Sequence, residues 1–257
     1  MSTGATVEVR AVKKVFGTDD GALHAFGPAE LRIGAGEFVS LLGPSGCGKS
    51  TLMLMIAGLL EPTEGEIFIN DEKITSPRTD IGIMFQDNTL VPWRDIYGNI
   101  SLQLELRGID PKANADRIHE LLRTVRLQGF ETRLPHELSG GMQQRAAFCQ
   151  ALVHDPGTVL LDEPLGKLDA MTRESIRSDL QALWLQKNPT VIFVTHSIEE
   201  AVQLSSRICV VTPRPGCIGR EIDIDLPWPR DAQVKRSDAF ISYVRDIQEI
   251  FHGYGVL

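Results

Sequence analysis

The sequence predicts an α/β protein with a parallel core sheet, and three observations carry that expectation. Short β-branched or apolar runs at 37–42, 159–161, 191–195 and 207–212 alternate with helix-forming stretches, the order a parallel sheet with crossover helices requires. A glycine-rich loop, Gly43-Pro44-Ser45-Gly46-Cys47-Gly48-Lys49-Ser50, lies between one such run and the strongly apolar TLMLMIAGLL at 51–60. Two adjacent acids, Asp162 and Glu163, close the run at 159–161, at the strand end where open parallel sheets bind ligands.

Taken in order, residues 6–10 and 29–33 read as short strands, and 37–42 as a buried strand ending at glycine. Residues 51–60 form a buried helix. The turn Glu61-Pro62-Thr63-Glu64-Gly65 leads into an alternating strand at 66–70. Residues from about 95 to 130 read as helical, broken at Arg107-Gly108-Ile109-Asp110-Pro111. Within 113–127, Ile118, Leu121, Leu122 and Val125 share one helical face. The turn Pro213-Arg214-Pro215-Gly216 separates strands at 207–212 and 218–224. Pro227-Trp228-Pro229 precedes a last helix at about 232–251. No internal repeat or low-complexity tract interrupts this order.

Bulk composition narrows the function. The 257 residues are 42% hydrophobic and 23% charged, ordinary for a globular protein with a full core. A net charge of −8 argues against a nucleic-acid surface, which needs clustered Lys and Arg. Cys47, Cys149, Cys209 and Cys217 form no C-x-x-C pair, so neither a zinc site nor a disulfide framework is expected. The first residues hold no apolar signal core, and no run approaches 18 consecutive apolar residues. Membrane work would therefore need a membrane part from another chain.

The glycine loop fits G-x-x-x-x-G-K-[ST] in its required strand–helix context. Its glycines let backbone N–H groups turn inward, where a Cβ would block close approach. Those N–H groups and the positive helix end attract phosphate. Lys49 is expected on the β and γ phosphates, the Ser50 hydroxyl on Mg²⁺, and Thr51 near the α phosphate of ATP. Asp162 is expected to hold Mg²⁺ and Glu163 to act as general base on the attacking water. A plain strand-end or helix-cap role for the two acids is the competing reading.

Leu138-Ser139-Gly140-Gly141-Met142-Gln143-Gln144-Arg145 precedes the acid pair by about twenty residues. It resembles the LSGGQ signature of the nucleotide-binding subunits of ATP-binding cassette (ABC) transporters, with Met142 as a departure. The resemblance covers nearly the whole chain. It implies a P-loop NTPase fold, with an N-terminal antiparallel β subdomain, a helical subdomain at about 88–150 and a short helical tail at about 230–257. Ser139, Gly140 and Gly141 would bind the γ phosphate of ATP held by a second copy of the chain. Their local chemistry fits that task, because a helix start offers free N–H groups and a positive dipole end. Gln86 matches the loop glutamine that contacts Mg²⁺ and the attacking water. Asp169 matches the loop that crosses the dimer interface, His196 the switch histidine, and Phe16 the aromatic under adenine. Phe16 could equally be core. Lys167 stands where the family commonly has a small residue, and solvent is its expected environment.

The segment Asn88-Thr89-Leu90-Val91-Pro92-Trp93-Arg94-Asp95 suits a groove for a partner helix, or else a packed loop. By resemblance it meets the permease. It is similar to importers of the nitrate, sulfonate and taurine group, as are Thr212-Pro213-Arg214-Pro215-Gly216 and Lys235-Arg236-Ser237-Asp238-Ala239-Phe240. The tail has no room for the regulatory barrel of maltose-type importers. The resemblance thus implies an ATPase that energises an importer of small anions, peripheral on the cytoplasmic face of the membrane. Its partners would be a second copy, a permease and a periplasmic or lipid-anchored solute-binding protein, with no nucleic acid. A non-transport or export-type ABC ATPase is the alternative.

Overall fold

The computed structural model describes residues 4–18, 21–87, 89–166 and 168–256. Asn88 and Lys167, both named above, lie outside the described residues.

A four-stranded antiparallel sheet opens the chain. It consists of β1 (Val7–Thr18), β2 (Gly21–Ile33), β4 (Glu64–Ile69) and β5 (Glu72–Lys73), in the order β2-β1-β4-β5. Its first two strands are far longer than the expected 6–10 and 29–33. A bulge around Ala11, whose φ is +49°, breaks the alternation of Val7 and Val9, so the pattern is lost before the strand ends.

The second sheet runs β10-β9-β3-β8-β7-β6. Its strands are β3 (Phe38–Leu42), β6 (Ile81–Met84), β7 (Thr158–Asp162), β8 (Thr190–Thr195), β9 (Arg207–Val211) and β10 (Ile218–Asp223). The other five are mutually parallel, and β10 is an antiparallel edge. Every residue of β3, β7 and β8 is buried. Burial on both faces explains why they read as continuous apolar runs. Strand β6 escaped the sequence pattern because it is four residues long and contains glycine. Gly82 is required: a Cβ there would sit 2.2 Å from the Ala151 carbonyl oxygen.

Helix α1 (Lys49–Ile56) follows β3. Helices α2 (Ile96–Glu105), α3 (Ala115–Thr124) and α4 (Gly140–Leu152) form a lobe whose core is continuous with the sheet, through Phe38, Val159 and Phe193. Ile118, Leu121, Leu122 and Val125 are buried there, as their shared face predicts. Helix α5 (Ala170–Lys187) joins β7 to β8, and α6 (Ile198–Leu204) joins β8 to β9. The expected helix at 232–251 is instead a 3-10 turn (Val234–Arg236) followed by α7 (Asp238–Gly253). Ser237 separates them, its hydroxyl accepting from Phe240 N at 3.3 Å and capping a new start.

Candidate functional site

Four neighbouring strands in the order β3-β8-β7-β6 are parallel, so their C-terminal ends share one edge of the sheet. The glycine loop follows β3, His196 follows β8, Asp162 and Glu163 close β7, and Gln86 follows β6. Topology alone thus assembles residues spread over 150 positions of sequence.

Two glycines of the loop adopt positive φ, Gly46 at +76° and Gly48 at +97°. A Cβ on Gly48 would lie 2.3 Å from the Ala25 carbonyl oxygen, so the loop packs directly on β2. Lys49 is buried, and its Nζ donates to the carbonyl oxygens of Gly43 (2.9 Å) and Pro44 (2.8 Å). Ser50 Oγ donates to Asp162 Oδ1 at 2.9 Å. Burial and the Glu163 charge raise the Asp162 carboxyl above the usual range, against the pull of the Ser50 hydrogen bond and the Lys49 charge.

Glu163 is the meeting point. Gln86 Nε2 donates to its Oε2 at 3.3 Å, and His196 Nδ1 lies 3.3 Å from the same oxygen. The Glu163 side chain is 16% exposed and that of His196 is 54% exposed, so the carboxylate is sheltered while the imidazole meets solvent. Glu163 also has a φ of +42°, a conformation that costs a residue with a Cβ about 1–2 kcal/mol.

A cleft of about 330 Å³ opens beside these groups, and neither Asp162 nor His196 is among its lining residues. It is lined by Ser45, Gly46, Gly48, Lys49, Ser50, Thr51, Gln86 and Glu163, together with Phe16, Leu23, Ala25 and Arg214. Phe16 pairs across the hairpin with Leu23, and both are partly exposed apolar surfaces. Phe16 is therefore not core, and it offers a flat apolar platform. The Cys47 side chain is 1% exposed and turned toward Gly43 beneath the loop. Burial raises its pKa, so the group is an inert thiol.

Ser139, Gly140, Gly141 and Asp169 are not among the residues lining this cleft. Ser139 Oγ accepts from Met142 N at 3.4 Å and caps α4. A Cβ on Gly141 would meet Thr172 Cγ2 at 2.4 Å, so that glycine is needed for packing against α5. Met142 packs into the helical core, while Gln143 Nε2 donates to the Pro135 and Leu138 carbonyl oxygens (2.8 and 3.1 Å) and ties down the turn before α4. Asp169 Oδ1 accepts from Met171 N and Thr172 N (3.1 and 3.0 Å), a helix cap that leaves it exposed.

Three groups were not legible in the sequence. Asn99, fully buried, accepts from Val91 N (2.6 Å) and donates to the Val91, Arg94 and Asp95 carbonyl oxygens. It folds the 91–95 segment into a rigid loop that presents Trp93 at 79% exposure, so Trp93 is not packed inside. Arg173 and Glu200 flank the His196 loop: Arg173 donates to the Leu168 carbonyl oxygen, and Glu200 accepts from Thr195 Oγ1 at 2.8 Å.

A phosphate loop, a sheltered carboxylate shared by glutamine and histidine, and a capped Ser-Gly-Gly helix define a nucleotide-hydrolysing cassette. The family profile described as ABC transporter matches residues 26–166. The aliphatic sulfonates import ATP-binding protein SsuB of Bacillus anthracis is 42% identical over 249 residues, covering 96% of this chain and 97% of that protein. The taurine import ATP-binding protein TauB of Roseobacter denitrificans is 44% identical over 200 residues, covering 77% and 74%. Among solved structures, a dimeric bacterial ABC transporter cassette superposes with a TM-score of 0.76 at 33% identity, over 85% of this chain and 98% of that one. The chain belongs to the ABC transporter family and is one of its ATP-binding, ATP-hydrolysing subunits. No helix among the described residues is long and apolar enough to cross a membrane.

Proposed function

We propose that this chain drives import of small sulfonate- or taurine-type anions, as a head-to-tail pair bound to a separate permease on the cytoplasmic face of the membrane. The names carried by the SsuB and TauB relatives support the solute class. The observation that carries the catalytic part is the single Glu163 oxygen within reach of both Gln86 and His196, with Glu163 lining the Lys49 cleft.

In this reading Phe16 supports the adenine, and the backbone of 43–48 with Lys49 and Thr51 holds the phosphates. Glu163 takes the proton of the attacking water, Gln86 orients that water, and His196 steadies the γ phosphate. The oxygen groups fit a hard cation: the Ser50 hydroxyl and Asp162 carboxylate are hydrogen-bonded to each other, and the Gln86 amide, on the same cleft, would add a third oxygen ligand. When bound, the ion would supply positive charge against the β and γ phosphates. Ser139, Gly140, Gly141 and Asp169, outside the cleft of their own chain, would complete the site of a second copy.

The Trp93 loop is the proposed permease contact, and a solute-binding protein would deliver the anion from the far side. Affinity capture of the tagged chain from detergent-solubilised membranes tests this. A polytopic membrane protein should be recovered, and Trp93→Ala should lower its recovery by about tenfold or more, as loss of an interface anchor does. Recovery of nucleic acid or ribosomes alone would sink the transport reading.

A further inference from the structure

The turn Pro213-Arg214-Pro215-Gly216 between β9 and β10 is built against the phosphate loop. Gly216 makes the closest contact: a Cβ there would lie 1.8 Å from the Cys47 carbonyl oxygen, so backbone rests directly on backbone. Gly27 N donates to the Gly216 carbonyl oxygen at 2.7 Å, and a bridge pairs Phe26 with Gly216, fastening the turn to β2 as well. Within the turn, Thr212 N donates to the Cys217 carbonyl oxygen and Cys217 N to Thr212 Oγ1, both at 3.0 Å. The turn is therefore held at both ends and wedged between the phosphate loop and the strand that carries Leu23.

From this mount Arg214 reaches the Gly46 carbonyl oxygen with two nitrogens, Nε at 3.2 Å and Nη2 at 2.9 Å. Arg214 has no carboxylate partner among the described residues, and it lines the same cleft as Lys49 and Phe16. Gly46 is one of the two loop residues at positive φ, a conformation that glycine adopts without strain but does not enforce. The carbonyl of Gly46 and the N–H of Cys47 belong to one planar trans peptide and point in opposite directions. Holding that carbonyl fixes that N–H. A hydrogen bond at the carbonyl also polarises the same peptide and strengthens its N–H as a donor.

We propose that Arg214 is a positioning residue for ATP: it clamps the Gly46–Cys47 peptide so that the Cys47 N–H faces the phosphates, and thereby sets nucleotide affinity. The inference rests on the reading of the cleft as the ATP site. It predicts an effect on every nucleotide whose phosphates enter the loop, ATP and ADP alike.

The test is calorimetric titration of the full chain with ATP and with ADP, in a Glu163→Gln background that blocks turnover. Arg214→Met keeps the aliphatic stem and removes every donor; it should weaken both nucleotides by about threefold to tenfold, the worth of one net hydrogen bond. Arg214→Gln keeps an N–H donor without the charge, and Arg214→Lys keeps both; each should recover most of the loss. Unchanged affinity in Arg214→Met overturns the proposal. So does recovery by lysine but not glutamine, which would mark direct attraction between charge and phosphate. Should Arg214→Met not fold, glutamine and lysine are compared alone: equal affinities support the clamp, and weaker binding with glutamine overturns it. Lys49→Ala separates this idea from the site it rests on. If Lys49→Ala binds ATP like the parent, the ATP-site reading itself fails. If it loses binding while Arg214→Met binds normally, only the role of Arg214 fails.

Discussion

Cys47 illustrates what a motif does and does not specify at the scale of a residue. The loop pattern fixes backbone geometry, and the cysteine occupies a free position of it. The structure turns that side chain inward, where burial keeps the thiol protonated. Cys149 and Cys209 are also buried, the latter with its pKa pushed up to about 12, and only Cys217 is partly exposed. The native chain should therefore react with a thiol reagent at Cys217 first, with no change in labelling at Cys47 when ATP is added. Mass spectrometry of labelled peptides checks this, and ATP-sensitive labelling of Cys47 would contradict its placement. Lys49, Ser50, Asp162, Glu163 and His196 were legible because each follows or ends a short apolar run that becomes a strand, whereas Gln86, after the patternless β6, was named by the family resemblance alone. Asn99, Arg173 and Arg214 were not, because their importance comes from carbonyl groups that only the folded chain brings to them.

At the scale of the element, two buried groups control how segments stay attached. His154, just beyond α4, has its pKa lowered to about 4, chiefly by burial and next by Arg107. Its ordinary value is about 6.5, so between those limits the unfolded chain binds more protons than the folded one. Stability from this group is complete above about pH 6.5 and falls as pH drops toward 4, by about 2 kcal/mol once partial exposure is allowed for. Denaturant titrations at several pH values should show this slope, and His154→Gln should flatten it. Arg230 is the second. It is 1% exposed and donates to the carbonyl oxygens of Val202, Ser205, Ile224 and Leu226, with its guanidinium stacked 3.9 Å from the Trp228 ring. It locks the segment before α7 onto the end of α6. Arg230→Ala leaves several buried carbonyls unpaired and should lower unfolding free energy by about 3 kcal/mol or more. A loss below 1 kcal/mol would contradict that role. The sequence suggested a single helix across 232–251, since capping by Ser237 and the Arg230 latch leave no periodic signature.

At the scale of the whole molecule, the two sheets divide the labour. The parallel sheet gathers the hydrolytic groups on one edge, and the antiparallel sheet brings Phe16 and Leu23 to its side. Alternating strands and helices made the first arrangement legible; the long hairpin of the second was hidden by its bulge. The Ser139 helix start and the Asp169 cap stand apart from that cleft, and Met171 beside Asp169 is 85% exposed, as an interface between copies would require. The proposed cycle closes two copies on two ATP molecules and opens them when the γ phosphate is lost. All of it depends on Glu163 as the base. Steady-state ATP turnover of the native chain against Glu163→Gln tests that dependence most directly. The exchange keeps the shape of the side chain and removes its basicity, so turnover should fall by about a hundredfold or more, with the melting temperature unchanged. Equal turnover in the two proteins would contradict the assignment.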